Sequence, residues 1–389
     1  MKKNKKQVPI FSFIALAVFL LNACTSLRNS VSPGVYPGNN NLTYTTPGYD
    51  PAKKTVLIIA DNDGTEMFDM MAPFYLFSAT DKANVYIVAE KKSRVIVKRG
   101  LFVLPHFTFG EIDSMHMKVD VMVVPNQSGK PKQVTIDFIN DHYTGTNKIL
   151  SVCDGAATVA ATGIYDGKEL TTHSSDYAGL KKQYKKPAWV TQVSVTQNGN
   201  LFSTAGVANA TEGSLTVIND LFGRETMQQI LSGIHYPYAE IKKDHQNLLV
   251  DTNSIFHALH TGQMKKNEKI GVMLQNGINE FDLAAILDTY FRSFPKTLET
   301  FSNNNVPVIS KYGLTLLPTG DINNNLATEI HVLMPETFSP GEEALFKKKA
   351  IIPYDHNSKQ YMIDVCLKRI TDLYGASFAH LVKLMLDYN

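Results

Sequence analysis

One stretch of this chain carries residues whose types and spacing could do chemistry. It reads Lys148-Ile-Leu-Ser-Val-Cys153-Asp154-Gly155-Ala-Ala-Thr-Val-Ala-Ala-Thr-Gly163. The apolar run before Cys153 is long enough for a buried strand, and the small residues after it read as a helix that stops at Gly163. A strand that passes straight into a helix forces a tight turn. That turn lifts its residue out of the C-terminal edge of a parallel sheet. This is nucleophile-elbow geometry, with cysteine at the position that serine takes in other elbows. Gly155 lets the backbone turn, and Ala156, Ala157, Ala160 and Ala161 let the helix pack close beneath it. The helix N-terminus points N–H groups at the sulfur and favours thiolate, while the Asp154 carboxylate next door opposes it. The expectation is a thiol of lowered pKa. A buried structural cysteine is the plainer alternative.

Other elements must bring an acid or a base to this turn. Thr55 to Ala60 reads as a buried strand, Met67 to Ala79 as a helix carrying Asp69, and Val85 to Ala89 as a second strand. Val119 to Pro125 reads as a third strand, followed by Asn126 and a helix from Val134 to His142. After the elbow come Thr171-Thr-His173, a hairpin turn at Gln197 to Asn200, and helices at Thr211–Phe222 and Glu225–Gly233. Alternating strands and helices imply a parallel sheet covered on both faces, with ligands at the carboxyl ends of its strands. Asp154 and Gly155 flank the thiol at the turn itself, and His173 follows it in the chain. Asp69 reads as a helix-surface or capping acid unless the fold brings it to the thiol, where it could share a proton or position water. His173 is a candidate acid–base group or a structural residue packed near the elbow.

The motifs Cys153-Asp-Gly-Ala, Ala-Thr-Gly163-Ile-Tyr-Asp-Gly, Thr-Thr-His173, Ser-Thr-Ala-Gly206 and Asp-Leu-Phe-Gly223 occur in one order over residues 54–237. Together they resemble the DJ-1/PfpI superfamily, the class I glutamine amidotransferase-like domains. The similarity is closest to relatives of isocyanide hydratases and to the front halves of AraC-type regulators. Those carry an acid in a pattern like Leu-Asp-Leu-Ala-Gly-Pro, matched by Phe68-Asp69-Met-Met-Ala-Pro73. The resemblance implies a flavodoxin-like parallel α/β sandwich. It also implies a cysteine-dependent hydrolase, hydratase or lyase acting on a small molecule, or a non-catalytic binding or redox-sensing module. Protease-like members place His directly after the cysteine, where this chain has Asp154, which argues against a peptidase. Near the oxyanion site the family's Gly-Gly is replaced by Asn126-Gln127-Ser128-Gly129.

From Lys269 the chain repeats itself. An offset of 213 aligns Phe68 with Phe281, Asp69 with Asp282, and Leu104-Pro105 with Leu317-Pro318. An offset of 152 aligns Asp220-Leu-Phe-Gly223 with Asp372-Leu-Tyr-Gly375, and Tyr236 with Tyr388. Between these blocks the second copy is shorter, and the elbow has no counterpart. Residues 269–389 thus read as a degenerate, truncated repeat without a central strand, paired with residues 54–237 in place of a homodimer. Cys366 aligns with Ser214 and reads as a core residue. In the connector, residues 238–268, His257 and His260 share one helix face but lack a third ligand.

The N-terminus has a different character. Met1 to Lys6 is basic, Val8 to Leu21 is apolar, and Leu21-Asn-Ala-Cys24 resembles a bacterial lipobox. Residues 1–23 read as a lipoprotein signal peptide and Cys24 as the lipidation site. Residues 24–53, rich in Asn, Ser, Thr, Pro and Gly, read as a flexible tether. The implied place is the cell envelope, at the outer membrane in a Gram-negative cell. The chain of 389 residues has formal charge +2, and setting aside Lys2, Lys3, Lys5 and Lys6 leaves 34 basic against 36 acidic residues. That balance gives no support to a nucleic-acid partner. The sequence holds no phosphate loop, dinucleotide fingerprint or zinc pattern, so neither a metal nor a cofactor is expected. Lys181 to Lys186 and Lys347 to Lys349 read as solvated faces. Replacing Cys24 with Ala should release the protein from membranes or leave it unprocessed. Fractionation of Cys24→Ala checks this, and parent-like processing and membrane association would refute it.

Overall fold

The computed structural model describes residues 35–40, 42–44, 47–98, 100–246, 268–346, 349–355 and 359–388. The expected signal peptide, Cys24, and the His257–His260 pair lie outside the described residues.

The first unit is built on a seven-stranded sheet. Its spatial order is Val195–Asn198, Leu201–Thr204, Lys148–Ser151, Val121–Val124, Lys54–Ile59, Ala83–Ala89 and Phe107–Thr108. All neighbours pair parallel except the hairpin Val195–Asn198/Leu201–Thr204. Continuous apolar runs suit strands that are covered on both faces. Along Val56-Leu-Ile-Ile59, alternate side chains enter opposite cores, as the strand period of two requires. Met122, Val124 and Ile149 share one core with the elbow helix Gly155–Thr162. Val121, Val123 and Leu150 share the other with the helices Met67–Ser78 and Ala210–Phe222.

That second core does not end at the first unit. It runs on through Ile270, Phe281, Ile286, Ile363 and Val382 of a structurally similar repeat. The repeat has a four-stranded parallel sheet in the order Thr297–Phe301, Lys269–Met273, Glu329–Val332 and Ala350–Pro353. The expected loss of a central strand is not observed. Ala350–Pro353 lies beside Glu329–Val332 as Lys148–Ser151 lies beside Val121–Val124. An apolar run, Ile351-Ile352, serves there without any of the elbow's sequence marks.

The two copies meet about a local two-fold relation. The helix Glu280–Phe291 packs on Met67–Ser78, and the equivalent rings Phe68 and Phe281 touch edge to face at 5.2 Å. Equivalent residues also meet in a four-stranded antiparallel sheet to which both copies contribute, where Leu101–Val103 pairs with Thr315–Leu317 and Val103 faces Leu316. Matching bonds recur in each copy. Tyr236 donates to Glu212 at 2.6 Å, and Tyr388 donates to Asp364 at 2.8 Å.

The stretch expected as a flexible tether is partly docked. Tyr36 is only 4% exposed and packs with Phe102, Leu104 and Leu317 at this seam. Gly48 accepts a hydrogen bond from Tyr86 at 2.7 Å. Composition counted the polar residues there and underweighted the tyrosines, whose rings bury large apolar area.

A continuous core across two copies predicts that neither half is independent. Expressed alone, residues 269–389 should be insoluble or lack a cooperative melt, and residues 25–240 should self-associate or lose stability. Size-exclusion chromatography and thermal melts check this. Two monomeric, cooperatively folding halves that do not bind each other would refute it.

Candidate active site

The turn at Cys153 follows from one close approach. A β-carbon on Gly155 would lie 2.0 Å from the Val124 carbonyl oxygen. Only glycine lets the elbow helix begin there. Cys153 takes up the turn with φ of 54°, left-handed backbone that is costly for a residue with a β-carbon. Bonds on either side hold it. Its N–H donates to Thr204 Oγ1 at 3.3 Å, and Val152 N–H donates to the Val124 carbonyl at 2.9 Å. Thr172 Oγ1 lies 3.2 Å from the Cys153 carbonyl and 2.7 Å from Asp154 Oδ1, so its one proton serves one or the other.

Asp69 reaches the site from the first turn of Met67–Ser78 and is fully buried. Asn126 N–H donates to Asp69 Oδ2 at 3.1 Å. Asp69 Oδ1 has no hydrogen-bond partner among the described residues. Glu66, just ahead of the helix, is also buried, and its N–H donates to the Asn126 carbonyl at 2.9 Å. Asn126 thus contributes backbone groups to the site.

Burial and these neighbours set the charges. Desolvation, then Glu66, push the Asp69 carboxyl well above the usual range, with Asp288 and Asp154 adding to it. The Asn126 N–H opposes them. Burial, then the neighbouring Asp176, raise Asp154 to about 7. Cys153 is 2% exposed. Burial first, then Asp69, Asp154 and Glu66, push its thiol well up, against one lowering hydrogen bond from the Asp154 N–H. The expectation of a lowered thiol pKa is therefore corrected. The helix N-terminus is outweighed by a desolvated pocket lined with carboxyls.

Two candidate residues have other engagements. The Gly155 N–H is taken by the Val152 carbonyl at 2.9 Å. Its backbone donor is thus not free for an oxyanion, and its role is the close approach itself. His173 sits with Nε2 3.3 Å from the Met385 carbonyl and Nδ1 2.8 Å from Ser175 Oγ. Both ring nitrogens face groups other than Cys153, and one of those belongs to the second copy. Sequence reasoning missed Glu66 and Arg292. Glu66 stands three residues before Asp69. Arg292 is the one basic residue at the end of an apolar helix and donates to Glu66 Oε1 at 3.1 Å. A basic residue capping so apolar a helix was the available signal for it. Cys366 lies in the core of the repeat, as its alignment with Ser214 implied. No cluster among the described residues could hold a metal ion.

A parallel α/β sheet with a cysteine at a strand-to-helix turn and a buried acid beside it defines a recognisable class. Residues 53–220 match the family model described as DJ-1/PfpI family. The chain is 26% identical to an isonitrile hydratase of Pseudomonas putida over 175 residues, covering 44% of this chain and 74% of that protein. It is 27% identical to protein dj-1beta of Drosophila melanogaster over 191 residues, covering 48% of this chain and 98% of that protein. The crystal structure of Drosophila melanogaster DJ-1beta superposes with a TM-score of 0.43 at 24% identity, covering 48% of this chain and 100% of that one. The superfamily includes both catalytic and non-catalytic members.

A raised thiol pKa means little thiolate at neutral pH. The alkylation rate of Cys153, taken as the difference between the parent and Cys153→Ser, should keep rising above the ordinary cysteine value of about 8.5. A midpoint below that value would show that the helix N-terminus prevails after all.

Proposed function

We propose that this protein is a cysteine-dependent hydratase or hydrolase acting on a small molecule. Cys153 serves as nucleophile, and Asp69 holds the proton that the reaction moves. The observation that carries the reading is a fully buried carboxyl, pushed well above the usual carboxylate range, in one site with a cysteine on a strained turn. In such a site the sulfur adds to an electrophilic carbon of a polarised multiple bond. Asp69 gives its proton to the atom that gains the electron pair and recovers a proton from the thiol. Water then displaces the sulfur, and the net reaction is addition of water or hydrolysis. The similarity to an isonitrile hydratase supports a small substrate of that kind. Asp154, raised to about 7, supplies a second group that changes charge near neutrality.

The competing reading is a non-catalytic binding or redox-sensing module. Sensing requires an accessible thiolate. The burial of Cys153 and the upward push on its thiol bear on both readings, and the buried Asp69 carboxyl, a proton donor that sensing does not need, favours catalysis. The basic, apolar and Cys24 order supports lipid anchoring in the cell envelope, so the substrate would be one met there.

Turnover of a panel of small isonitriles, nitriles and amides, followed by product mass, tests the proposal. Cys153→Ala should abolish turnover, and Asp69→Asn should lower kcat by about 10² to 10⁴. Stoichiometric modification of Cys153 across the panel with no turnover would favour the sensing module instead.

A further inference from the structure

A stretch of the second copy reaches the loops beside the elbow. The helix Ala376–Leu386 ends there in a left-handed residue, Asp387, with φ of 53°. Its equivalent in the first copy at the offset of 152, His235, has the same backbone, with φ of 54°. The conformation therefore belongs to the helix end, and the carboxylate is particular to the second copy. Asp387 is 3% exposed. Its Oδ1 accepts from Ser174 Oγ at 2.8 Å and lies 3.0 Å from His245 Nε2, and its Oδ2 accepts from the Ser174 N–H at 3.2 Å. A β-carbon on Gly206 would lie 2.0 Å from the Asp387 β-carbon. Ala208 N–H donates to the Leu386 carbonyl at 3.1 Å. Leu386 and Asp387 thus join two loops of the first copy.

Those two loops also hold the turn. One follows the strand Leu201–Thr204, whose Thr204 Oγ1 accepts from the Cys153 N–H at 3.3 Å. The other is residues 172–174, and its Thr172 Oγ1 lies 2.7 Å from Asp154 Oδ1. We infer that Asp387 is a positioning residue of the candidate site: its carboxylate, supplied by the second copy, ties together the two loops whose threonines hold the turn at Cys153. The left-handed backbone of Cys153 persists only where its surroundings over-determine it. Thr171 is anchored within the first copy, its N–H donating to Ser203 Oγ at 2.9 Å. Three residues on, the N–H and the hydroxyl of Ser174 both go to Asp387. The loop is thus fixed at one end by the sheet and at the other by the second copy. Hydrogen bonds to a carboxylate are among the stronger ones, and a buried carboxylate is costly to leave without them. Gly206 belongs to the same device, since any side chain there would push Asp387 away. The inference concerns the turn and not the proposed reaction, and its readouts need no turnover.

Two measurements on the full chain test this: hydrogen exchange read by peptide mass, and alkylation by iodoacetamide at one pH, read on the Cys153 peptide. In Asp387→Ala the amides of residues 171–175 and 152–155 should exchange about tenfold faster or more. Cys153 should alkylate faster by a similar factor, while the strand Lys54–Ile59 keeps the parent's exchange. Gly206→Ala, which keeps the carboxylate but displaces it, should behave as Asp387→Ala does. Ser174→Ala, which removes the hydroxyl's bond alone, should loosen the same peptides by a smaller factor. It decides the matter if the other two variants do not fold. A folded Asp387→Ala, or Ser174→Ala in its place, with the parent's exchange and alkylation at the turn overturns the inference. Exchange that rises evenly in every peptide, Lys54–Ile59 included, overturns it too, since Asp387 would then only stabilise the chain as a whole.

Discussion

The elbow depends on a contact that leaves no room for a side chain. The helix Gly155–Thr162 starts so close to the Val124 carbonyl that a β-carbon on Gly155 would sit 2.0 Å from it. Because the helix begins there, the chain must reverse within one residue, and Cys153 bears the left-handed backbone. Because Cys153 is at that spot, its N–H meets Thr204 and the adjoining Asp154 meets Thr172. Each neighbouring segment is tied to the turn by one bond. Those segments in turn hold the second copy: Ser174 donates to Asp387 at 2.8 Å, and Ala208 N–H donates to the Leu386 carbonyl at 3.1 Å. A constraint local to one glycine therefore extends to the end of the chain.

The second constraint is electrostatic. Glu66, Asp69, Asp154 and Cys153 are acids in a space with little water, and they cannot all ionise. The chain settles this unequally. Glu66 is given a guanidinium, Asp154 a hydroxyl at 2.7 Å, and Asp69 a single backbone N–H at 3.1 Å. Asp69, with the single N–H, is pushed well above the usual carboxylate range. Acid–base chemistry is thus written in the supply of partners as much as in the choice of residue.

Much of this was legible in the sequence, for physical reasons. The strands were found because runs such as Val56-Leu-Ile-Ile59 have no reading but a buried strand between turn residues. The elbow was found because Gly155 and the alanines after it have few other uses at that spacing. The repeat was found because glycines and core aromatics stayed in register at one offset, and Phe68 and Phe281 indeed pack on each other. What escaped depended on distance in three dimensions. The thiol's environment could not be read from Asp154 alone, since Asp69 and Glu66 arrive from another element. The strand Ala350–Pro353 was overlooked because it shares no motif with Lys148–Ser151, only its place in the sheet. The docking of Tyr36 was hidden in a composition that otherwise suits a tether.

Comparison of Asp69 with Asp282 separates residue from role. The alignment makes them equivalents, and both lie in the first turn of matching helices. Asp69 is fully buried and takes its hydrogen bond from the Asn126 backbone, beside the elbow. Asp282 is half-buried, and its own N–H is capped by the Asn279 side chain at 3.2 Å. The residue opposite Glu66 in the repeat is this same Asn279, a neutral cap in place of a buried acid. The first copy gives up that local cap, since Glu66 makes no side-chain cap hydrogen bond to its helix, and directs the carboxylate across the seam to Arg292. A helix start that forgoes its own cap must be stabilised from elsewhere. Here the stabilising groups belong to the other copy, so the two repeats have diverged into one half that holds the strained, acid-rich turn and one half that braces it.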